Sequence, residues 1–304
     1  MNNANNTVVI YHGKCPDGFG AAFAAWLKFG DAAQYVPADY CDAPPDVTGK
    51  DVFILDFSYK RDVMEKIDAV ATSITLLDHH ETAQNNLAGF KCSCGKIHFD
   101  TSKSGARMAW EHFNPGTPIP LLIQFIEDRD LWKFVIPNTD AFLAYLDMLP
   151  FSFEQWHALL DDGSAQFAEA LAMGTVIHQR VVSICTNIAA DAVPVVIDGL
   201  PTLMVSCSQE LASMVGDMLY AKTGTFAVIW RMESRGTVKV SLRGKKPFNV
   251  KVIAERFGGG GHPQAASFRL PAYRAVELLL GELSLKRPGF WRQLVQLVKS
   301  YWRC

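Results

Sequence analysis

The sequence has no uninterrupted apolar run approaching the ~20 residues of a membrane-spanning helix, so no membrane span is expected. Hydrophobic residues nevertheless make up 49% of its 304 positions, enough for two domains with a sizeable core. It has no excess of either charge: 29 basic against 31 acidic side chains leave a net charge of -2. That argues against a protein that coats long duplex nucleic acid through a basic face. A small anionic substrate stays possible, because bound metals could supply local positive charge. There is no cysteine framework either. Seven cysteines, an odd number at irregular spacing, read as reduced thiols of a cytoplasmic protein. The first residues are polar and Asn-rich, so no leader peptide is expected. No Walker-type phosphate loop occurs, and Gly18-Phe19-Gly20 lacks the third glycine of a dinucleotide fingerprint.

The sequence does contain a series of short apolar segments that alternate with helical patterns. Strands are expected at Thr7–Tyr11, Asp51–Leu55, Ile74–Leu77 and Lys96–Phe99. Helices are expected at Ala21–Phe29, Arg61–Ala69, up to Phe113, and from Leu121 to Ile126. This alternation predicts βαβ units and a parallel sheet. With right-handed crossovers, His12, Asp17, Asp56, Asp78, His79 and His80 fall on one sheet edge. In an open α/β sheet, that edge is where ligands bind. Residues 152–190 read as helical, a natural connector. Beyond Asp191 the texture changes: strands at Val193–Ile197, Thr202–Ser206, Phe226–Arg231 and Thr237–Arg243, with helices at Gln209–Tyr220 and Asn249–Phe257. The expected division is a catalytic domain at 1–150, a helical connector at 151–190, a smaller α/β domain at 191–280, and a terminal amphipathic helix at 281–304 carrying Phe290, Trp291, Leu294, Leu297, Val298 and Trp302.

Asp78-His79-His80 follows a buried strand. Three adjacent titratable groups there need compensation, and a divalent cation is the usual one. The alternative is an Asp78 helix cap beside two surface histidines. Glu127-Asp128-Arg129-Asp130-Leu131-Trp132 ends an apolar helix, with Asp128 or Asp130 as the candidate ligand. Ser102 and Ser104 read first as helix N-caps, and as phosphate contacts second. Cys92-Ser93-Cys94 with His98 lacks a fourth zinc ligand and the usual spacing, and is read as two reduced cysteines. Gly258-Gly259-Gly260-Gly261-His262 exceeds what a helix stop requires and lets backbone N–H groups approach an anion. Ser241 and Arg243 share a strand face, and an arginine there suits bidentate phosphate contact.

His12, Asp17-Gly18, Asp56, Asp78-His79-His80 and an Asp at 128 or 130 resemble the successive motifs of the DHH phosphoesterase superfamily. Phe257 to Phe268 resembles the signature of its DHH-associated C-terminal domain. The resemblance covers the chain to about residue 270. It implies two domains flanking a cleft and a two-metal centre, usually manganese, with Mg2+ or Co2+ possible. By the same resemblance Asp56 would bridge the metals. His12, Asp17, Asp78, His79 and Asp128 or Asp130 would complete the ligands, and His80 would contact the scissile phosphate. Gly259, Gly260, Gly261, His262, Ser241 and Arg243 would hold the rest of the substrate. One position departs from the pattern. Cys15 stands where an acid is expected, either as a thiolate ligand or as a buried neutral residue.

The expected function is metal-dependent hydrolysis of a P–O bond, with Asp56, Asp78, His79 and His80 at the catalytic centre. The implied substrates are short oligonucleotides, linear or cyclic dinucleotides, or nucleotide phosphates. An exopolyphosphatase or pyrophosphatase is the alternative within enzymes. A non-catalytic phosphonucleotide sensor is the alternative outside them. The oligomeric state is open, a homodimer included.

Overall fold

Alternate residues of the first strand face two different cores. Val9 and Tyr11 join a cluster with Phe23, Trp110, Ile123 and Trp156, while Val8 and Ile10 join another with Met64, Ile67 and Leu87. The strand is therefore apolar on both faces, as a parallel strand covered by helices on each side must be. This computed structural model describes residues 6–40, 42–233 and 236–283. The chain divides into two compact units, 1–178 and 179–304, and the division falls inside one long helix.

The first unit contains β1 (Thr7–His12), α1 (Pro16–Phe29), β2 (Ala33–Ala38), β3 (Asp51–Leu55), α2 (Arg61–Asp68), β4 (Ser73–Asp78), α3 (Glu81–Asn86) and β5 (Gly95–Phe99). Then follow α4 (Gly105–Phe113), α5 (Leu121–Asp130), α6 (Thr139–Leu146), α7 (Phe153–His157) and the long α8 (Ala165–Ala190). Its sheet is entirely parallel, in the order β2-β1-β3-β4-β5. After β1 the chain first goes to β2 on one side, then returns to β3 on the other. The strand order thus reverses between β1 and β3, and the carboxyl ends at such a switch point form a ligand crevice. His12 ends β1 and Asp56 follows β3.

The second unit contains β6 (Val193–Ile197), β7 (Leu200–Ser206), α9 (Ala212–Thr223), β8 (Phe226–Glu233), β9 (Thr237–Gly244), α10 (Val250–Arg256), β10 (Gly260–Gly261), β11 (Ala265–Pro271), α11 (Ala272–Leu279) and β12 (Glu282–Leu283). They form a mixed sheet in the order β10-β11-β9-β8-β7-β6-β12. Val215 and Leu219 of α9 cover Ala227 and Ile229 on one face; Val250, Ile253 and Leu278 cover Val228, Val240 and Leu242 on the other.

Several elements differ from expectation. β2 was not anticipated, because Pro37 and mixed polarity mask an edge strand, where proline is tolerated. β11 was read as part of a glycine-rich loop, yet Ala266, Phe268 and Leu270 alternate as buried residues. Gly18-Phe19-Gly20 lies inside α1. Residues expected only to connect the domains help build the first core: Phe153 stacks on Phe19, and Trp156 is fully buried. The terminal helix expected at 281–304 lies outside the described residues from 284 onward, and Leu283 belongs to the sheet, paired with Ile197. Among the described residues no helix is long and apolar enough to cross a membrane.

Candidate metal centre and anion site

The loop after β1 is built by helix capping. Cys15 is the N-cap of α1, and its Sγ accepts from the Gly18 N–H at 3.3 Å. Pro16 follows at the first helical position, where its missing N–H has no consequence. Asp17 is thereby placed in the first turn, buried, facing the start of α4. Its two oxygens accept from the N–H groups of Gly105 and Ala106, at 2.7 and 2.9 Å. These are orphan donors of a helix N-terminus, and a carboxylate is their natural partner. Ser104 caps the same helix through Arg107 N–H, as its cap reading predicts.

Asp56 sits at the switch point with φ of 63°, and its N–H donates to the Leu77 carbonyl at 2.9 Å. A non-glycine residue in this region is uncommon and strained, aspartate less so than most. Gly105 presses against it. A Cβ on Gly105 would lie 2.5 Å from the Asp56 Cβ, so any side chain there would displace the carboxylate. The two Asp56 oxygens face different neighbours. Oδ2 lies 3.5 Å from His12 Nδ1 and 3.4 Å from Cys15 Sγ, and Oδ1 lies 3.2 Å from His79 Nε2. His79 Nε2 also stands 3.6 Å from both Asp17 Oδ2 and Asp130 Oδ2. Potential ligand atoms thus form overlapping groups: His12, Cys15 and Asp56; Asp56, His79 and His80; Asp17, His79 and Asp130.

Asp78 has a different role in this geometry. Its Oδ1 accepts from the N–H groups of His79 and His80, at 2.7 and 3.1 Å, and lies 2.8 Å from His80 Nδ1. It thereby fixes the turn and the His80 ring. Asp78 lies in none of the three groups, and its Oδ2 is buried without a hydrogen-bond partner. Of the two acids at the end of α5, the structure brings Asp130 to the cluster. Asp128 is occupied elsewhere: Oδ1 accepts from Val135 N–H, and Oδ2 accepts from Ile136 N–H and the Thr139 hydroxyl.

The charges here do not balance internally. Burial, and then the neighbouring Asp56 and Asp130, push the Asp17 carboxyl well above its usual range. Burial acts in the same direction on Asp56, but contacts from His12 and His79 outweigh it and hold that carboxyl low. Burial opposes charge on His79 and His80, yet Asp56 on one and Asp78 on the other raise both imidazoles. The Cys15 thiol is pushed up by burial, then by Asp56 and Asp17. Asp56 Oδ1 and His79 Nε2 are close, yet both are buried without a hydrogen bond. A cation beside both atoms would give each of them a partner. The donor set of carboxylates and imidazoles fits a cation such as manganese, magnesium or cobalt better than calcium.

In the second unit, Arg243 on β9 donates through Nε to the Ser213 hydroxyl of α9 at 3.2 Å and through Nη1 to the Leu242 carbonyl at 3.0 Å. Among the described residues no carboxylate pairs with it, and burial lowers its pKa. Ser241 on the same strand is buried, opposite Ser267. The four glycines have separate explanations. Gly258 takes φ of 78° after α10. A Cβ on Gly259 would strike the Ser267 carbonyl at 2.1 Å, and Gly261 has φ of 137° in a short pairing with β11. A Cβ on Gly260 would meet open space, and its φ is not positive, unlike that of Gly258. His262 follows, its N–H donating to the Ala265 carbonyl at 2.8 Å.

Comparison with known proteins agrees with both halves of this description. Residues 205–285 match the DHHA1 domain. The DHH domain of a member of a ribosomal-protein family superposes on 90% of this chain and 85% of its own, at 13% identity and a TM-score of 0.55. The chain thus carries a DHHA1 domain in its second half and shares the fold of that DHH domain. An uncharacterized protein of Acanthamoeba polyphaga mimivirus is 31% identical over 280 residues, which span 85% of this chain and 66% of that protein. A pGpG-specific phosphodiesterase, PggH of Vibrio cholerae, covers 97% of this chain and 99% of its own at 12% identity and a TM-score of 0.49. Asp78-His79-His80 lies at the end of β4 and the start of α3. Three residues that touch this cluster escaped the sequence reading. Asp39 follows β2 and lies 4.0 Å from His12 Nε2, and the Tyr40 ring packs against His12 and His80. Gly105 is the third. Asp39 and Tyr40 follow a strand that was not expected, and nothing in the local sequence around Gly105 names Asp56 as its neighbour.

Proposed function

We propose that this chain is a metal-dependent phosphoesterase that hydrolyses P–O bonds in a small phosphorylated substrate, a short oligonucleotide or dinucleotide, with manganese as the working cation. The observation that carries this reading is Asp56. One of its oxygens faces His12 and Cys15 while the other faces His79, so one buried carboxylate can serve two neighbouring cation positions. His12 and Cys15 would hold one side; Asp17, His79 and Asp130 would hold the other. Bound divalent cations supply Lewis acidity, activating water and neutralising phosphate charge. The chain's own residues set the geometry. Asp17 is held by the α4 N-terminus, Asp56 is wedged against Gly105, and Asp78 orients His80 through Nδ1. His80 Nε2 is then the ring's remaining polar atom for a phosphoryl oxygen, and its raised pKa favours donation. In the second unit, Arg243, Ser241, Gly260 and His262 offer a phosphate group a guanidinium, a hydroxyl and an open backbone approach. The cytoplasm suits the free thiols of Cys15, Cys92, Cys94, Cys185 and Cys207.

The test is a manganese-supplemented screen of dinucleotides, short oligonucleotides and polyphosphate, with products separated by size. Asp56→Asn is the informative variant, because asparagine tolerates the left-handed backbone that alanine would strain. It should lose at least ~100-fold in rate together with bound manganese. Full activity and metal content in Asp56→Asn would overturn the reading.

A further inference from the structure

The Cys-x-Cys pair of the first unit finds a ligand that its neighbourhood in the sequence does not contain. His98 belongs to no ligand group among the described residues. Asp68, the last residue of α2, instead reaches both thiols: Cys92 Sγ and Cys94 Sγ each donate to its Oδ1 at 3.1 Å. The carboxylate is already oriented. The Ser93 N–H donates to both of its oxygens at 2.9 Å, and the Cys94 N–H donates to Oδ1 at 3.2 Å. The ligand atoms of all three residues lie within 4.8 Å of one another, and the residues are half-buried, so an ion can reach them. The position is separate from the acid–imidazole centre. Asp68 ends α2 shortly before β4 begins, and Cys94 directly precedes β5. This is the amino-terminal edge of the parallel sheet. His12, Asp56 and Asp78 lie at its carboxyl edge.

We propose that Asp68, Cys92 and Cys94 form a three-ligand site for a thiophilic divalent cation, with zinc as the natural occupant and water as the fourth ligand. On binding, both thiols release their protons to solvent. The resulting pair of thiolates and one carboxylate make a donor set of the kind zinc takes in tetrahedral sites. Softness separates the two sites. Thiolates select zinc, while carboxylates and imidazoles at the other edge accept manganese or magnesium. The bound ion would pin the end of α2 to the segment leading into β5, the edge strand of the sheet.

The experiment is a cadmium titration of the full-length chain, followed by the ultraviolet thiolate-to-cadmium charge-transfer band, with zinc as competitor. The wild-type protein should show a band that saturates at one equivalent and is displaced by zinc. Cys15→Ser should retain it, which separates this site from the thiol at the other centre. Cys92→Ser combined with Cys94→Ser should abolish it, and Asp68→Asn should bind at least ~10-fold more weakly. No wild-type band, a band that persists in the double variant, or Asp68→Asn binding as tightly as wild type would each overturn the proposal. If circular dichroism shows that the double variant is unfolded, the single serine variants decide. Each should halve the band, and an undiminished band in both overturns the site.

Discussion

At the scale of single residues, Cys15 concentrates two demands in one atom. Its sulfur caps α1 and faces His12 and Asp56, at 3.1 and 3.4 Å. A thiol does each task less well than a carboxylate would. Aspartate is a stronger N-cap and a harder ligand. Cys15→Asp would also add a negative charge beside Asp17 and Asp56, which are already in conflict. The expected outcome therefore has two signs. With a chelator present, the variant should melt below the wild type. With manganese present, its rise in Tm should exceed the wild-type rise, because about tenfold tighter binding corresponds to ~1.4 kcal/mol. Thermal melts with and without manganese measure both. Equal manganese-induced shifts would show that position 15 does not face the cation. His12, Asp17, Asp56 and His79 could be named from sequence because each follows a recognisable strand or turn. Gly105 could not, because its demand comes from a carboxylate 49 positions earlier.

Among the elements, the last turn of α5 shows how a helix sorts two chemically identical side chains. Asp128 turns toward the loop that follows and binds Val135, Ile136 and Thr139, while Asp130 reaches His79. Burial works against the Asp128 charge, but the bonds from Thr139, Val135 and Ile136 outweigh it and lower its pKa. A folded-state pKa below the unfolded value means that its contribution is present above about pH 4. It is lost as the pH falls through the folded value. Asp128→Ala should thus cost about 2–3 kcal/mol at neutral pH, and the difference from wild type should shrink below pH 4. Asp130→Ala should cost little stability and weaken manganese binding. Urea unfolding and a manganese titration of both variants check the assignment. The reverse pattern would make Asp128 the ligand. The sequence offered both acids two positions apart after an apolar helix and could not separate them, because the choice depends on where residues 131–139 fold back.

For the whole molecule, the first unit runs to residue 178, past the catalytic-domain end expected at residue 150. Phe153 stacks on Phe19 and Trp26, Trp156 is fully buried against Phe19 and Phe23, and Phe167 stacks on Phe142. Phe153 and Trp156 cover α1, the helix that carries Asp17, and Phe167 covers α5 and α6. Removing Trp156 alone should cost on the order of 3–5 kcal/mol. That is a large share of the ~5–15 kcal/mol that holds a domain together. A fragment ending at residue 150 should therefore fail to fold, whereas one ending at 178 should unfold cooperatively and bind manganese. Circular dichroism melts and metal titration of the two fragments make the comparison. A cooperative transition in the shorter fragment would show that α7 and α8 are dispensable to the first core.

The amino-acid sequence by itself determined the parallel sheet and the edge to which its functional groups go. Short, β-branched apolar runs such as Val8-Val9-Ile10 and Ile74-Thr75-Leu76-Leu77, bounded by turn residues, read as buried strands, and the residue after such a strand emerges at its carboxyl end. It also marked the glycine run before His262. Only the tertiary structure decided which groups meet. Asp17 finds the α4 N-terminus 88 residues away, Asp68 finds two thiols on another element, and Asp130 takes the place that Asp128 could have filled. The reason is physical. Periodicity and capping act over a few residues and are written locally, whereas a contact between distant residues exists only once burial of the whole core has set the path of the chain between them.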